Sequence, residues 1–196
     1  MQLIGLTGGV GMGKSTAAEL LSRRNLPIID TDLIARQAVA PDQTALAEIQ
    51  RQFGPQLIGA DGRLDRNATA QLVFNDAAAR KALEAILLPR IRAAWLAETE
   101  KWRAQDHAFG VVVIPLLFEA NAAGYFDYII CVACSTKTQR QRLVARHWPD
   151  AHIDLRNAAQ WPIGQKIAKS DFVVWTEGSL AVHQAQLDKI FARIGG

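Results

Sequence analysis

Residues 8–15 read Gly8-Gly9-Val10-Gly11-Met12-Gly13-Lys14-Ser15 and follow the apolar run Leu3-Ile4-Gly5-Leu6. The octet fits G-x-x-x-x-G-K-[ST], which carries meaning only where a strand leads in and a helix leads out. Both flanks are there, because Thr16-Ala17-Ala18-Glu19-Leu20-Leu21 continues with helix-forming residues. Gly8, Gly9, Gly11 and Gly13 open backbone angles that other residues avoid, so successive N–H groups can converge on one anion. The positive end of the following helix favours the same anion, and a polyphosphate is expected. Lys14 is then expected on its β- and γ-oxygens and the Ser15 hydroxyl on Mg²⁺.

The rest of the composition narrows the class. A chain of 196 residues suits one α/β core with insertions better than two domains. Hydrophobic residues make up 49% and charged ones 21%, the balance of a globular protein. No apolar run reaches the roughly 18 residues that span a bilayer. Met1 leads into the first strand with no basic region or cleavage site, so a cytoplasmic protein without a membrane segment is expected. Lysine and arginine total 22 against 19 acidic residues, a net charge of +3. That field does not call for nucleic acid, and neither zinc-finger nor RNP-type spacing occurs. Nothing in the sequence indicates an obligate protein partner.

Cys131 and Cys134 have C-x-x-C spacing but sit in the apolar run Tyr128-Ile129-Ile130-Cys131-Val132-Ala133-Cys134. Residues three apart in a strand face opposite sides of the sheet, so buried core roles are expected for both. The histidines at 107, 147, 152 and 183 have no metal-ligand spacing.

Taken in order, the chain alternates strand and helix. Pro27-Ile28-Ile29 reads as a second strand running into Asp30-Thr31-Asp32, and the carboxyl end of a strand is where open α/β sheets hold ligands. Asp32 is the first catalytic candidate. One of the two aspartates is also a natural N-cap for the helix Leu33–Val39, so one caps while the other acts. Helices are expected at Thr44–Phe53, Ala68–Phe74 and Ala77–Leu88, with Pro89 breaking or restarting the pattern before Ile91–Trp102. Trp95 and Trp102 fall on one helical stripe of core type.

Val111–Ile114 is a β-branched run of the kind buried on both faces, and it leads into Pro115-Leu116-Leu117-Phe118-Glu119. Glu119 therefore orients substrate or a metal-bound water, or caps the next segment. Tyr128–Ala133 is the fourth strand, and Ser135-Thr136 opens a helix carrying Lys137, Arg140, Arg142 and Arg146. Arg142 and Arg146 stand one turn apart, suited to clamping phosphate. A helix over Ala151–Gln160, a strand over Phe172–Trp175 and a closing helix over Leu180–Ile194 complete a parallel sheet of about five strands flanked by helices.

Together these stretches resemble the dephospho-CoA kinase family over nearly the whole chain. The likeness lies in Leu6–Thr16, in Asp30-Thr31-Asp32-Leu33-Ile34-Ala35-Arg36, in Pro115–Glu119, and in Ala159-Gln160-Trp161-Pro162 with Lys166 and Ser170-Asp171. It implies a three-layer α/β core of P-loop kinase type over about 1–58, 108–138 and 168–196, a helical substrate-binding insertion over about 59–107 and a helical lid over about 139–167. The implied reaction is ATP-dependent phosphorylation of the ribose 3′-hydroxyl of dephospho-CoA, the last step of coenzyme A biosynthesis.

Under that resemblance Gly11, Met12, Gly13, Lys14, Ser15 and Thr16 bind ATP with Mg²⁺ on Ser15. Asp32 takes the hydroxyl proton, and Arg142, aided by Arg146, acts as a lid residue on the transferring phosphate. Thr7, Arg36 and Glu119 are candidates to orient substrate. Three positions depart from the family pattern: Leu88 precedes Pro89 where His is usual, His147 follows Arg146 where Asp is common, and Thr176 replaces a frequent Asn. A nucleoside or nucleotide kinase is the nearest competing enzyme class. A GTP-dependent switch lacks its Asn-Lys-x-Asp segment here.

Overall fold

A computed structural model describes residues 1–41 and 43–195. The chain separates into two compact units, one formed by Met1–Ile29 with the residues from Lys101 on, the other by Asp30–Glu100.

The first unit is built on a five-stranded sheet in the order β2-β3-β1-β4-β5. Its strands are β1 (Gln2–Gly8), β2 (Ile28–Asp30), β3 (Phe109–Val113), β4 (Tyr128–Ala133) and β5 (Phe172–Trp175). β1 lies at the centre, parallel to β3 on one side and β4 on the other, with Gly5 opposite both Val112 and Ile129. The sequence dictates that place. Leu3, Ile4 and Leu6 bury both faces of the strand, as only an interior strand requires. Gly5 leaves no room for a side chain, since a Cβ there would stand 2.7 Å from Leu117 Cδ1. Backbone N–H groups outside the ladder are met by carboxylates, Leu3 N donating to Asp127 Oδ2 at 2.7 Å and Ile129 N to Asp171 Oδ2 at 2.8 Å.

Helices α1 (Lys14–Ser22) and α9 (Leu180–Ile194) bring Leu21, Leu187 and Ile190 into one core with Ile4, Val111 and Ile130. After β4 come α6 (Thr136–Val144), α7 (Asp150–Ala158) and α8 (Ile163–Ala168). Ser135 caps α6 by accepting from Thr138 N, the expected start. Arg140 ties α6 to α7 through Asp150 and Asp154, each at 2.7 Å. Trp102 is buried against Gly110, whose Cβ would meet the indole at 2.6 Å.

The second unit contains α2 (Thr31–Ala38), α3 (Thr44–Phe53), α4 (Arg66–Asn75) and most of α5 (Ala77–Ala104), around Ala45, Ile49, Leu57 and Ile86. Asp65 caps α4 by accepting from Asn67 N and Ala68 N. Trp95 is 2% exposed, as its stripe implies.

The expectation that Pro89 breaks or restarts the helix is corrected: α5 runs unbroken through it. Proline removes a donor and crowds the preceding turn. Here the neighbouring Ile86 carbonyl receives Arg90 Nη1 at 2.6 Å, while Arg90 Nη2 binds Glu48 at 2.6 Å. The guanidinium thus ties the turn next to the proline to α3, and burial of Ile86 holds that turn in the core. No helix of the described residues is long and apolar enough to cross a membrane.

Candidate active site

The glycine loop lies between β1 and α1 and owes its path to three positive φ angles, 144° at Gly8, 72° at Gly11 and 100° at Gly13. A Cβ on Gly8 would stand 2.1 Å from the Val132 carbonyl oxygen, so only glycine permits the turn off the sheet. Gly13 is the N-cap of α1, and no acidic residue occupies the first turn to offset the helix's positive end. Lys14 Nζ reaches back over the loop to the carbonyls of Gly8 and Gly9 at 2.7 and 2.9 Å. Ser15 is exposed and Thr16 half-buried in the first helical turn. Met12 is the exception among these residues, its side chain 3% exposed in the core and its N–H spent on Gly9 O.

Beside the loop is a cavity of about 190 Å³ whose lining includes Gly11, Gly13, Thr16, Arg142, Arg146, Thr176 and His183. It brings together both arginines singled out by the sequence. Arg142 is held at Thr176, its Nη1 donating to Thr176 Oγ1 at 2.8 Å and its Nη2 to the Thr176 carbonyl at 2.6 Å. The Thr176 hydroxyl in turn donates to the Met12 carbonyl at 2.9 Å. Arg146 is exposed in the turn after α6. Burial, and then the charge of Arg142, hold the His183 imidazole below its ordinary pKa. Glu177 is drawn down to about 2 by the hydroxyls of Ser135 and Thr138 and by the Ser135 N–H.

The loop after β3 forms a second polar cluster. Lys166, 0% exposed, donates to the Pro115 carbonyl and pairs with Glu119 Oε1, both at 2.8 Å. Glu119 Oε1 also accepts from Trp161 N at 2.7 Å. Thr7 is buried with its hydroxyl on the Pro115 carbonyl at 3.3 Å. Cys131 and Cys134 are buried and unpaired in a disulfide. Burial pushes the Cys131 thiol up to about 11 against the pull of Lys166, Lys14 and Ser170, the state of an inert core residue.

In the helical unit the capping role falls to Asp30, whose carboxylate accepts from Asp32 N at 2.8 Å. Asp32 is exposed in the first turn of α2. Arg36, also on α2, lines a cavity of about 480 Å³ with Arg63, Arg66 and Asp61.

The family model for dephospho-CoA kinase matches residues 2–181. The chain belongs to the dephospho-CoA kinase family. A dephospho-CoA kinase of Anaeromyxobacter dehalogenans is 42% identical over all of this chain and 93% of its own length. Among solved structures, a Thermus thermophilus protein is 33% identical with a TM-score of 0.86, covering 100% of this chain and 98% of that one. Dephospho-CoA kinase from Campylobacter jejuni is 26% identical with a TM-score of 0.72, covering 98% and 96%.

Within this dephospho-CoA kinase family member, the departures at Leu88, His147 and Thr176 fall in different surroundings. Leu88 borders an apolar hollow with Pro89, Arg92 and Leu96. His147 takes φ 61°, an angle β-branched residues avoid. Thr176 lies in the nucleotide-loop cavity itself. Sequence reasoning missed Gln139, 3% exposed, whose amide bridges the Val10 carbonyl at 2.8 Å and Asn157 at 2.9 Å. Its only signal was a polar residue on the inward face of α6. Among the described residues no group of three or more His, Cys, Asp or Glu is disposed to hold a metal. The exposed Ser15 hydroxyl is a hard oxygen donor, which suits an ion that binds mainly through water and substrate phosphates.

Proposed function

We propose that this chain transfers the γ-phosphoryl group of ATP to the ribose 3′-hydroxyl of dephospho-CoA, giving CoA and ADP in the last step of coenzyme A biosynthesis. The observation that carries the reading is the family match over residues 2–181. The glycine loop supports it, with its N–H groups and Lys14 suited to the β- and γ-phosphates. Magnesium, when bound, neutralises charge on those phosphate oxygens, with Ser15 as its protein ligand.

The chemistry asks for positioning and charge stabilisation more than covalent help. The acceptor oxygen forms a bond to phosphorus as the bond to the β-phosphate oxygen breaks. Asp32 orients the hydroxyl and takes its proton. Arg146, exposed after α6, supplies positive charge to the transferring group, and Arg142 stays on the donor nucleotide. Thr7 and Glu119 support the strand ends beneath, and Arg36 meets the acceptor. The compartment that fits this reaction is the cytoplasm.

Asp32→Asn tests the reading. It keeps shape and hydrogen bonding but cannot accept the proton, so kcat falls by about 10²–10⁴ while ATP affinity and thermal midpoint stay near wild type. Full activity removes Asp32 from the reaction and leaves Asp30 or Glu119 as the carboxylate to test.

A further inference from the structure

The cavity beside the loop does not contain the residues that face the γ-phosphate. Gly11, Gly13 and Thr16 form one wall, and Gly178, Ser179 and Leu180, at the turn from β5 into α9, form another. Lys14 and Ser15 are not among its lining residues. On the reading that the loop grips the β- and γ-phosphates, the space suits the nucleoside end of the donor. Arg142 stands in it, already held by two hydrogen bonds before any nucleotide contact is counted.

The place of that hold decides what Arg142 can do. A long arginine side chain gives up much rotational freedom when it is fixed, and here the protein has fixed it. A group fixed at the nucleoside end, where no charge develops during transfer, meets the ground state and the transition state equally, which is uniform binding. The Arg146 side chain, one turn on, makes no hydrogen bond or ion pair among the described residues, so its position is still to be set by the reacting complex.

The holder is Thr176, which is 7% exposed. A threonine hydroxyl has one donor hydrogen and two acceptor sites. The hydrogen goes to the Met12 carbonyl and one acceptor site goes to Arg142. No donor remains on that hydroxyl for a base edge. We propose that Thr176 is a positioning residue that fixes Arg142 as a wall of the nucleoside pocket, serving ground-state binding of the donor nucleotide without reading its base. The guanidinium offers a flat cationic face, and every base has a π-face to set against it.

This inference rests on the kinase reading above, and steady-state kinetics with ATP and with GTP separates the two. In Thr176→Val the shape stays while the hydroxyl is lost. KM for ATP rises about tenfold, the equivalent of one charge-assisted hydrogen bond, with kcat within about twofold. KM for GTP rises in proportion, Thr176→Ser restores both, and adding Thr176→Val to Arg142→Ala brings no further rise. Should Thr176→Val fail to fold, Thr176→Ala is read in the same way. An unchanged KM, a loss confined to kcat, or an altered ATP-to-GTP ratio overturns the inference while the kinase reading stands. Absence of any phosphoryl transfer by the wild-type chain overturns both.

Discussion

Lys166 Nζ stands 2.8 Å from Glu119 Oε1, and none of the lysine side chain is exposed. The pair joins α8 to the loop that follows β3, and through Trp161 N it also holds the segment between α7 and α8. A buried ion pair is a weak source of net stability, yet removing one partner strands the other charge out of water. Lys166→Met should therefore cost about 3–5 kcal/mol. Replacing both partners, as in Lys166→Met with Glu119→Leu, should recover part of that loss. Urea unfolding of the two variants and the wild type checks this; additive losses, or a single-variant loss below about 1 kcal/mol, would contradict it.

The two arginines should separate kinetically. Arg146→Ala should lower kcat by about 10²–10³, the usual cost of losing one group that stabilises developing charge, with KM for ATP little changed. Arg142→Ala should do the reverse, raising KM for ATP with kcat largely kept. Initial rates over a range of ATP concentrations decide it. A kcat loss confined to Arg142→Ala would return that residue to the transferring phosphate.

His183 makes stability depend on pH in a definite direction. Burial and Arg142 hold its folded pKa below the ordinary value, which is about 6.5 in an unfolded chain. Below about 6.5 the unfolded state therefore binds more protons than the folded one, and stability falls as pH falls. The contribution is complete above about 6.5 and is lost as pH descends toward the folded pKa. Among the described residues His183 Nε2 has no hydrogen-bond partner, so His183→Leu sacrifices no bond at that nitrogen. Thermal midpoints between pH 5 and pH 8 should show a shallower acid limb in the variant. Parallel limbs would contradict the assignment.

Much of this architecture was legible because its signals are local. The glycine octet fixes a strand before it and a helix after it, and β-branched runs such as Val111–Ile114 can be buried only as interior strands. Pro89 misled because the helix around it is held by tertiary contacts, Ile86 buried in the core and Arg90 bound to Glu48 on α3, and no local pattern records them. The same holds at the site. Lys14 and Ser15 are named by their motif, whereas the hold on Arg142 comes from Thr176, 34 residues away in sequence. Lys166 looks like any helix lysine until α8 is laid against the loop after β3. Spacing can mark residues for chemistry, but it does not say which partner fixes them.

The central claim is the identity of the acceptor, and the most direct measurement supplies the purified chain with ATP and Mg²⁺ and a panel of hydroxyl compounds, with products identified by mass and NMR. Dephospho-CoA, adenosine, AMP, uridine and shikimate make an adequate panel. The account predicts ADP formation with dephospho-CoA at a rate far above the others, the product carrying its new phosphate on the ribose 3′-oxygen, and no such product from Lys14→Ala. Preferred phosphorylation of a free nucleoside, a nucleotide or shikimate, or a phosphate placed elsewhere on dephospho-CoA, would contradict it.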